Sequence, residues 1–289
     1  MPFEHDASPV EAGDTPRSRG WLRGSSDFVE CALFSNLTPR GNLQCKEYRL
    51  GEDGKPEVRR NASFRLGAAR PVLLSPTNAL PELSQVLSLL GHNQSLISGQ
   101  LTNASYVDGR IEVVPIGRLE NPSQVALTRD FFTYQPGRPA VVGFDFDVSA
   151  FAPQILGLLG GRYDGDVWAF LQHVVPELRG VGVLRRPSSS VRVYDTRGEP
   201  PTISPLHNEH CFIVVKDGSM VSEFKEMLGA RITNAFGSWA QTMSSGLSVT
   251  KHVVDLGACG VPYRPWFEAP PVALDCFALR EDVGDTLAA

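Results

Sequence analysis

The sequence predicts an α+β fold built on a mixed or antiparallel sheet. Its second half alternates segments typical of strands and helices in the order β-α-α-β-β-α-β. Strands and helices interleave, but short connections between successive strands also occur, which favours a mixed or antiparallel sheet over a fully parallel one. We expect helices to cover one face of this sheet and the other face to stay open for a site.

The predicted elements follow the spacing of apolar residues along the chain. Helical spacing occurs at about 78–90, 150–159 and 166–178 and in the segment that begins at Ser219. Strand patterns are clearest at 141–148, 181–184, 210–215 and 248–256, and further short strands are expected between residues 28 and 142. The Pro-rich residues 262–272 end the predicted compact part.

The composition is that of a soluble globular protein, with 42% hydrophobic and 20% charged residues. No apolar run approaches the length of a membrane span, and the N-terminus lacks an apolar stretch of the signal-peptide type. We therefore expect a cytoplasmic protein without a membrane partner. The net charge of −5 argues against a dedicated duplex-binding protein, although a local basic groove is compatible with it.

The five cysteines are scattered without a C-x-x-C pair, which argues against a zinc ribbon or a disulfide framework. Potential zinc ligands crowd together at 207–211. Adjacent residues of a strand point to opposite faces, however, which disfavours a zinc site there.

Asp145 and Asp147 form a D-x-D motif inside an apolar segment typical of a strand. Side chains alternate along a strand, so both carboxylates share one face, with α-carbons roughly 7 Å apart. Such a pair can hold one Mg²⁺, or one each of two ions, and a solvated strand end is the alternative. A second D-x-D motif, Asp164-Gly165-Asp166, is interpreted as a turn and a helix cap.

Polar residues also stand among apolar neighbours in two later strand-like segments, where they are His210 and Asp255. Three carboxylates can bind two divalent ions, and Ser, His, Arg and Lys side chains donate to phosphate oxygens. This combination suits in-line phosphoryl or nucleotidyl transfer. Structural alternatives remain: a hydrogen-bonded histidine, an aspartate that accepts turn amides, a plain loop at 188–190 and a solvated basic face at 185–197.

The order of these motifs resembles that of the archaeo-eukaryotic primase superfamily, and their longer context is similar to the primase-polymerases of bacteriophages and plasmids. The matching segments are Gly143-Phe144-Asp145-Phe146-Asp147, Ser188-Ser189-Ser190, His210-Cys211-Phe212-Ile213-Val214-Val215-Lys216-Asp217-Gly218, Ser248-Val249-Thr250-Lys251-His252-Val253-Val254-Asp255 and Arg264-Pro265-Trp266-Phe267-Glu268-Ala269-Pro270-Pro271-Val272. The resemblance covers about residues 130–275 well and the first half only loosely.

The resemblance implies an RRM-like sheet packed with an N-terminal α/β unit. It implies template-dependent nucleotide addition with two Mg²⁺ or Mn²⁺ ions, during phage or plasmid DNA replication in the cytoplasm of a bacterial host cell. The expected partners are template and primer DNA, nucleoside triphosphates, and a helicase in the same polypeptide or in trans. The corresponding division of the chain is a flexible lead at 1–25, an N-terminal subdomain at 26–130, a catalytic subdomain at 131–275 and a C-terminal linker-like tail at 276–289.

Carried over residue by residue, the resemblance makes Asp145, Asp147 and Asp255 the metal ligands and catalytic residues. His210 would bind the phosphates of the incoming nucleotide. Weaker candidates for the triphosphate or the template backbone are Ser188, Ser190, Arg192 and Lys251. One departure from the family is Glu209, which stands where a small Ser or Gly-rich turn is usual. Strand alternation predicts that its carboxylate points to the opposite face of the sheet.

Three other functions compete with this interpretation. Clustered aspartates serve a two-metal nuclease equally well. A sugar transferase can use D-x-D to hold a nucleotide-sugar, although that leaves Asp255 unexplained. An inactive replication-initiation or single-strand-binding module of the same fold could stack bases on Tyr194 or Trp239.

Overall fold

The computed structural model describes residues 28–38, 43–60, 63–199, 202–242 and 246–288. The lead predicted at 1–25 lies outside these described residues. In the first half the elements are β1 (Val29–Asn36), β2 (Lys46–Leu50), β3 (Pro56–Arg60), β4 (Gly67–Leu74), α1 (Ala79–Ser88), β5 (Gln94–Ile97), β6 (Gln100–Leu101), β7 (Ile111–Val113), β8 (Gln124–Val125) and β9 (Phe132–Thr133). In the second half they are β10 (Ala140–Phe146), α2 (Pro153–Tyr163), α3 (Val167–Val174), β11 (Val183–Pro187), β12 (Val193–Asp195), β13 (Glu209–Val215), α4 (Val221–Phe236), β14 (Trp239–Thr242), β15 (Ser248–Lys251), β16 (Pro265–Trp266), β17 (Val272–Ala273), β18 (Phe277–Leu279) and β19 (Thr286–Ala288).

The fold is α+β, with several antiparallel and mixed sheets, as the sequence predicts. The central sheet of the second half has four strands in the order β10-β13-β11-β19, and every pairing in it is antiparallel. The first half contributes most of a six-stranded sheet in the order β16-β5-β1-β4-β7-β8, in which only β7 and β8 run parallel. The helices were predicted close to their observed positions, since their apolar spacing is local information.

The four-stranded sheet separates two apolar cores. Phe144 and Phe146 of β10 pack with α2, α3 and α4 on one face. Val141 of β10 and Phe212 of β13 leave the other face and pack with residues of β1, β5 and α1. Because both faces carry large apolar residues, both must be covered to remove that surface from water.

The expectation of an open second face is therefore wrong for most of the sheet. The first half of the chain covers that face through the shared core. A cleft lined by residues of both halves remains at the end of β10 where Asp145 stands.

The C-terminal segment is interleaved with the rest of the protein. β16 joins β5 in the six-stranded sheet, and β17 runs parallel to β2. β18 pairs with β12, and β19 forms the edge of the four-stranded sheet beside β11. Strands of residues 276–288 are thus paired with strands from earlier in the chain, whereas the sequence predicts a linker-like tail at 276–289.

None of the helices within the described ranges is long and apolar enough to cross a membrane.

Candidate functional site

Asp145 and His210 face each other across two neighbouring strands. They are direct partners in the antiparallel pairing of β10 with β13, so their side chains leave the same face of the sheet. Nε2 of His210 lies 3.3 Å from Oδ1 of Asp145. Both residues line the cleft. The D-x-D motif and the His210 motif, which are separate in the sequence, are therefore in direct contact.

Glu268 holds the other edge of the imidazole. Its Oε1 accepts a hydrogen bond from Nδ1 of His210, and its Oε2 lies 3.0 Å from Nε of Arg186. The side chains of Glu268 and Arg186 are only 3% and 2% exposed, so this is a buried ion pair rather than a solvated one. The histidine thus lies between two carboxylates.

The electrostatics of this group follow from burial and neighbouring charges. Burial opposes protonation of the imidazole, but Glu268 and Asp145 outweigh it and raise the pKa of His210 to about 10. Burial likewise disfavours the charged carboxylate of Asp145, yet the hydrogen bond from His210 and nearby positive charges hold its pKa below the ordinary value. At neutral pH the site therefore contains a cationic histidine between two anionic carboxylates.

Asp147 follows β10 directly and also lines the cleft. Its Oδ1 accepts hydrogen bonds from Oγ of Ser149 at 2.8 Å and from Nδ2 of Asn208 at 3.0 Å. Asn208 precedes β13, so it ties the end of β10 to the start of the neighbouring strand. The two aspartates of the D-x-D motif are consequently both in the cleft and both held in place.

The serine run forms a turn beside these residues. The backbone N–H of Ser188 donates to the carbonyl of Asn208 at 2.9 Å, and the hydroxyls of Ser188 and Ser190 are 2.7 Å apart. Both serines line the cleft together with Ser189. The predicted Ser188 and Ser190 are therefore close to His210 and Asp147.

Asp255 is close to Asp145, but it does not lie in the strand that the sequence predicts for it. We expected a strand over 248–256, whereas β15 ends at Lys251 and Asp255 lies in a turn. Its backbone N–H donates to the carbonyl of Asp145 at 2.9 Å, which places the turn next to the end of β10. Its carboxylate accepts from the N–H of Gly257 at 2.8 Å and pairs with Arg264 at 3.3 Å.

Asp255 itself does not line the cleft, and two further candidates stand elsewhere. Arg192 binds Asp285 at 3.0 Å and belongs to the buried ion-pair group around Arg186. Lys251 ends the β14–β15 hairpin, and neither residue lines the cleft. Trp239, a candidate base platform only in the alternative non-catalytic module, is half-buried: its Nε1 donates to Ala150 O and its ring packs on Phe151.

Glu209 points away from the cleft, as strand alternation predicts. Its carboxylate receives two hydrogen bonds from Arg185, at 2.7 and 2.9 Å, and Arg185 also lies 3.1 Å from Asp166 at the start of α3. This carboxylate is therefore neutralised on the helical face of the sheet and does not repel an anion bound near His210.

The cleft has a volume of about 610 Å³, within the range of about 300–1,000 Å³ that is common for small-molecule sites. Its apolar and aromatic lining comes from Cys45, Tyr48, Val58, Trp266 and Phe267. Lys46 and Arg264 add positive charge, and both lower the pKa of Asp145. The cleft thus offers acidic, basic, hydroxyl and aromatic groups to a single ligand.

The donor set of the cleft fits one divalent cation better than two. The hydrogen bonds and ion pairs that Asp145 and Asp147 make with other described residues use Oδ1, which leaves the second oxygen of each carboxylate for a ligand. Mg²⁺ is commonly held by one or two carboxylates together with waters and substrate phosphates. Across the described ranges, no group of three or more His, Cys, Asp or Glu residues is arranged to hold a metal ion.

Sequence reasoning missed Glu268, Lys46 and Arg264. Glu268 and Arg264 lie in the segment 264–272 that carries the family resemblance, but no periodicity marks a charged residue there as buried or as a partner of His210. Lys46 comes from β2, in the half of the chain that the resemblance covers loosely. A single Glu within a run of apolar and Pro residues was the available signal for Glu268.

Comparison with known proteins found no family model that matches the chain and no significant match to a curated protein or a solved structure. Function must therefore be inferred from this cleft and from the motif resemblance.

Proposed function

We propose that this chain is a template-dependent nucleotidyltransferase of the primase-polymerase type, which acts in phage or plasmid DNA replication in the cytoplasm of a bacterial host. The observation that carries the proposal is the contact of the D-x-D motif with His210 in one cleft, beside the serine turn. These groups lie far apart in the sequence, and their meeting in one cleft is what a shared substrate requires. An RRM-like catalytic core packed with an N-terminal unit is the corresponding fold proposal.

The phosphates of a nucleoside triphosphate are the proposed ligand of the polar lining. The protonated imidazole of His210, the hydroxyls of Ser188 and Ser190 and the guanidinium of Arg264 are donors suited to phosphate oxygens. A bare phosphodiester needs fewer donors than this set provides, which favours transfer from a triphosphate over hydrolysis.

Asp145 and Asp147 would hold a Mg²⁺ or Mn²⁺ ion through their second carboxylate oxygens. When bound, such an ion lowers the pKa of an attacking hydroxyl and neutralises charge on the transferred phosphoryl group. The chain itself fixes the two carboxylates: His210 orients Asp145, and Ser149 and Asn208 orient Asp147. Held carboxylates need little reorganisation when a substrate binds.

Asp255 would contribute to a second ion only after Arg264 releases it. In the structure their side chains are paired at 3.3 Å. The phosphates of a bound nucleotide are a competing anionic partner for Arg264, and nucleotide binding would then free the Asp255 carboxylate. The second ion is thus proposed to depend on the nucleotide.

The aromatic lining is suited to a base. Phe267 is 37% exposed and borders the cleft with Tyr48, although large apolar side chains are usually buried. Base stacking on aromatic side chains is the usual way to hold an unpaired nucleotide. We propose that the base of the nucleotide, or the templating base, packs on this part of the cleft.

The test is a primer-extension experiment with a labelled primer–template, Mg²⁺ or Mn²⁺, and deoxynucleotides or ribonucleotides in separate reactions. We expect extension that follows the template sequence and requires both metal and nucleotide. A companion reaction without primer determines whether chains start de novo. Shortening of the label in the absence of nucleotides would instead identify a nuclease.

A second candidate function is a non-catalytic module that binds single-stranded DNA. It is favoured by one observation: the carboxylates of Asp145 and Asp255 are each already paired with a cation of the protein, His210 and Arg264. In that case, binding of a primed template would be the same with and without Mg²⁺ and nucleotide, and no extension would occur with any nucleotide class.

A further inference from the structure

We propose that Glu268 is a positioning residue, which fixes the imidazole of His210 so that Nε2 is directed at Asp145 and the cleft. This inference rests on the proposed function, in which His210 contacts the phosphates of a nucleotide. Glu268 itself does not border the cleft, so its effect on a ligand must pass through the histidine.

Both oxygens of the Glu268 carboxylate accept from neighbouring side chains. Oε1 accepts from Nδ1 of His210, and Oε2 accepts from Nε of Arg186 at 3.0 Å. A buried carboxylate is stable only where its lone pairs are satisfied, and here one oxygen serves each partner. The carboxylate therefore has a single orientation that satisfies both partners.

Arg186 anchors that orientation to the rest of the molecule. Nη1 of its guanidinium binds Asp285 at 2.6 and 2.8 Å. Nη2 donates to the carbonyl of Leu87 at 3.2 Å and to that of Glu268 at 3.1 Å. Since the guanidinium is a planar fork with fixed donor directions, contacts on all its sides prevent it from turning. Glu268 is thus bound to the immobilised guanidinium of Arg186 by both its side chain and its main-chain carbonyl.

The indole of Trp266 also packs against the histidine ring. Trp266 meets the imidazole at 72° with ring centroids 5.7 Å apart. Trp266 can occupy this position because residue 143 is a glycine: a Cβ there would lie 2.4 Å from the indole. Which ring nitrogen of a histidine faces a ligand is set by the hydrogen bond that the other nitrogen makes. Here Glu268 takes Nδ1, which leaves Nε2 for the cleft side.

The experiment compares Glu268→Gln with Glu209→Gln in the full chain. Both residues are buried carboxylates close to His210, and both bind an arginine, which is buried for Glu268 (Arg186) and half-buried for Glu209 (Arg185). Glu209, however, lies on the opposite face of β13. Two quantities are measured: the ¹⁵N–¹H spectrum of the His210 ring, and the affinity for a non-hydrolysable deoxynucleotide triphosphate with Mg²⁺. Thermal denaturation reports the stability of each variant.

For Glu268→Gln we expect a change of the His210 ring state. Arg186 can only donate hydrogen bonds, so it will donate to the oxygen of the new amide. The amide NH₂ then faces Nδ1 of His210, and Nδ1 must accept a hydrogen bond from it. The Nδ1 resonance should move to the position of an unprotonated ring nitrogen, and nucleotide affinity should fall about tenfold, the loss of one charge-assisted hydrogen bond. Glu209→Gln should lower stability while changing neither the His210 spectrum nor the affinity by more than about twofold. Glu268→Asp, which keeps the charge, should restore part of the affinity.

The proposal is overturned if His210 gives the same spectrum and affinity in the Glu268→Gln variant as in the wild type, or if Glu209→Gln produces the same changes. If Glu268→Gln does not fold, the wild-type spectrum decides: Nδ1 must carry a hydrogen-bonded proton, and an unprotonated Nδ1 excludes the role. A wild-type chain that fails to bind nucleotide refutes the proposed function, whereas the ring spectrum still decides whether Glu268 positions His210.

Discussion

At the scale of single residues, the site is centred on a histidine that is clamped between two carboxylates. Asp145 is its partner across the sheet, and Glu268 reaches it from a segment 58 residues further along the chain. Each charge is partly buried and would be costly alone, but together they compensate one another. Such a group is rigid, since moving one member leaves another without its partner.

The D-x-D carboxylates are expected to be required for chemistry. Asp145→Asn and Asp147→Asn keep the shape of the side chain and its hydrogen bond through Oδ1, but they weaken the hold on a cation. Losing several kcal/mol of transition-state stabilisation lowers nucleotide incorporation by at least about 100-fold. Asp164→Asn, at the exposed first residue of the second D-x-D motif, is the matched control, since Asn tolerates its φ of 51°. Primer extension measures the effect, and full activity of Asp145→Asn would refute the metal site.

The charge of His210 predicts a specific pH dependence of stability. Its folded-state pKa of about 10 lies above the unfolded value of 6.5, so the folded protein binds this proton more tightly. The stabilisation is fully present below about pH 6.5 and is lost as the pH rises toward 10. The difference in free energy of unfolding between the wild type and His210→Gln should therefore shrink over that range.

Denaturant unfolding of both proteins at several pH values measures this difference, and titration of the other groups largely cancels in it. His173→Gln, a substitution of an exposed histidine on α3, controls for the exchange itself. A difference that stays constant or grows between pH 6.5 and 10 would contradict the charged state of His210.

At the scale of elements, strand alternation in β10 and β13 separates structural from functional residues. In β13, Cys211 and Ile213 join the core under the helices and Glu209 binds Arg185, whereas His210 and Phe212 face the N-terminal half. In β10, the small residue Gly143 admits the indole of Trp266, which packs on both His210 and Phe212. The register of this strand pair therefore determines both the core and the site.

Gly143→Ala is expected to disturb this arrangement. A Cβ at residue 143 would lie 2.4 Å from the Trp266 ring, and overpacking of this kind typically costs about 1–3 kcal/mol. Gly157→Ala in α2 is the control: nothing lies within 4 Å of its Cβ position, and the exchange should stabilise the helix by about 0.5–1 kcal/mol. Thermal denaturation should move the two variants in opposite directions, and a Gly143→Ala protein as stable as the wild type would refute the close packing.

At the scale of the whole molecule, the C-terminal segment joins the two halves. Asp285 lies just before β19, at the edge of the four-stranded sheet. It binds Arg186 and Arg192, and it accepts a hydrogen bond from Ser84 of α1 at 2.8 Å. Arg186 continues the contact to Glu268 and so to His210. A continuous chain of charged groups thus connects the last strand to the cleft.

Asp285→Asn should be strongly destabilising because it removes one anion from two buried or half-buried arginines. Breaking a buried ion pair typically costs about 3–5 kcal/mol, and the remaining contact of Arg186 with Glu268 places the expected loss near the lower end. Asp282→Asn removes only the pair with Arg280, in which the aspartate is 62% exposed, and should cost about 0–1 kcal/mol. Chemical denaturation measures the free energy of unfolding of each variant. Equal losses in the two variants would show that the Arg186 contacts contribute little to stability.

The α+β class, the approximate helices and the polar residues of β10 and β13 could be predicted from the sequence. These are properties of local periodicity: apolar spacing selects helix or strand, and alternation places Asp145, His210 and Glu209 on their faces. The burial of the second sheet face, the joining of residues 276–288 to the sheets and the end of β15 before Asp255 were not predictable in this way. The partner of an apolar face is chosen by packing, and packing is not encoded in the spacing of one segment.

The site residues outside the motifs could be identified only from the folded chain. Lys46 and Arg264 line the cleft, and Glu268 binds His210 from behind it; all three come from segments far from the D-x-D strand. Arg264 also binds Asp255. Charged residues carry no periodic signal that names their partner. Their contacts are selected by the requirement that every buried charge find a counter-charge, and only the assembled chain satisfies that requirement.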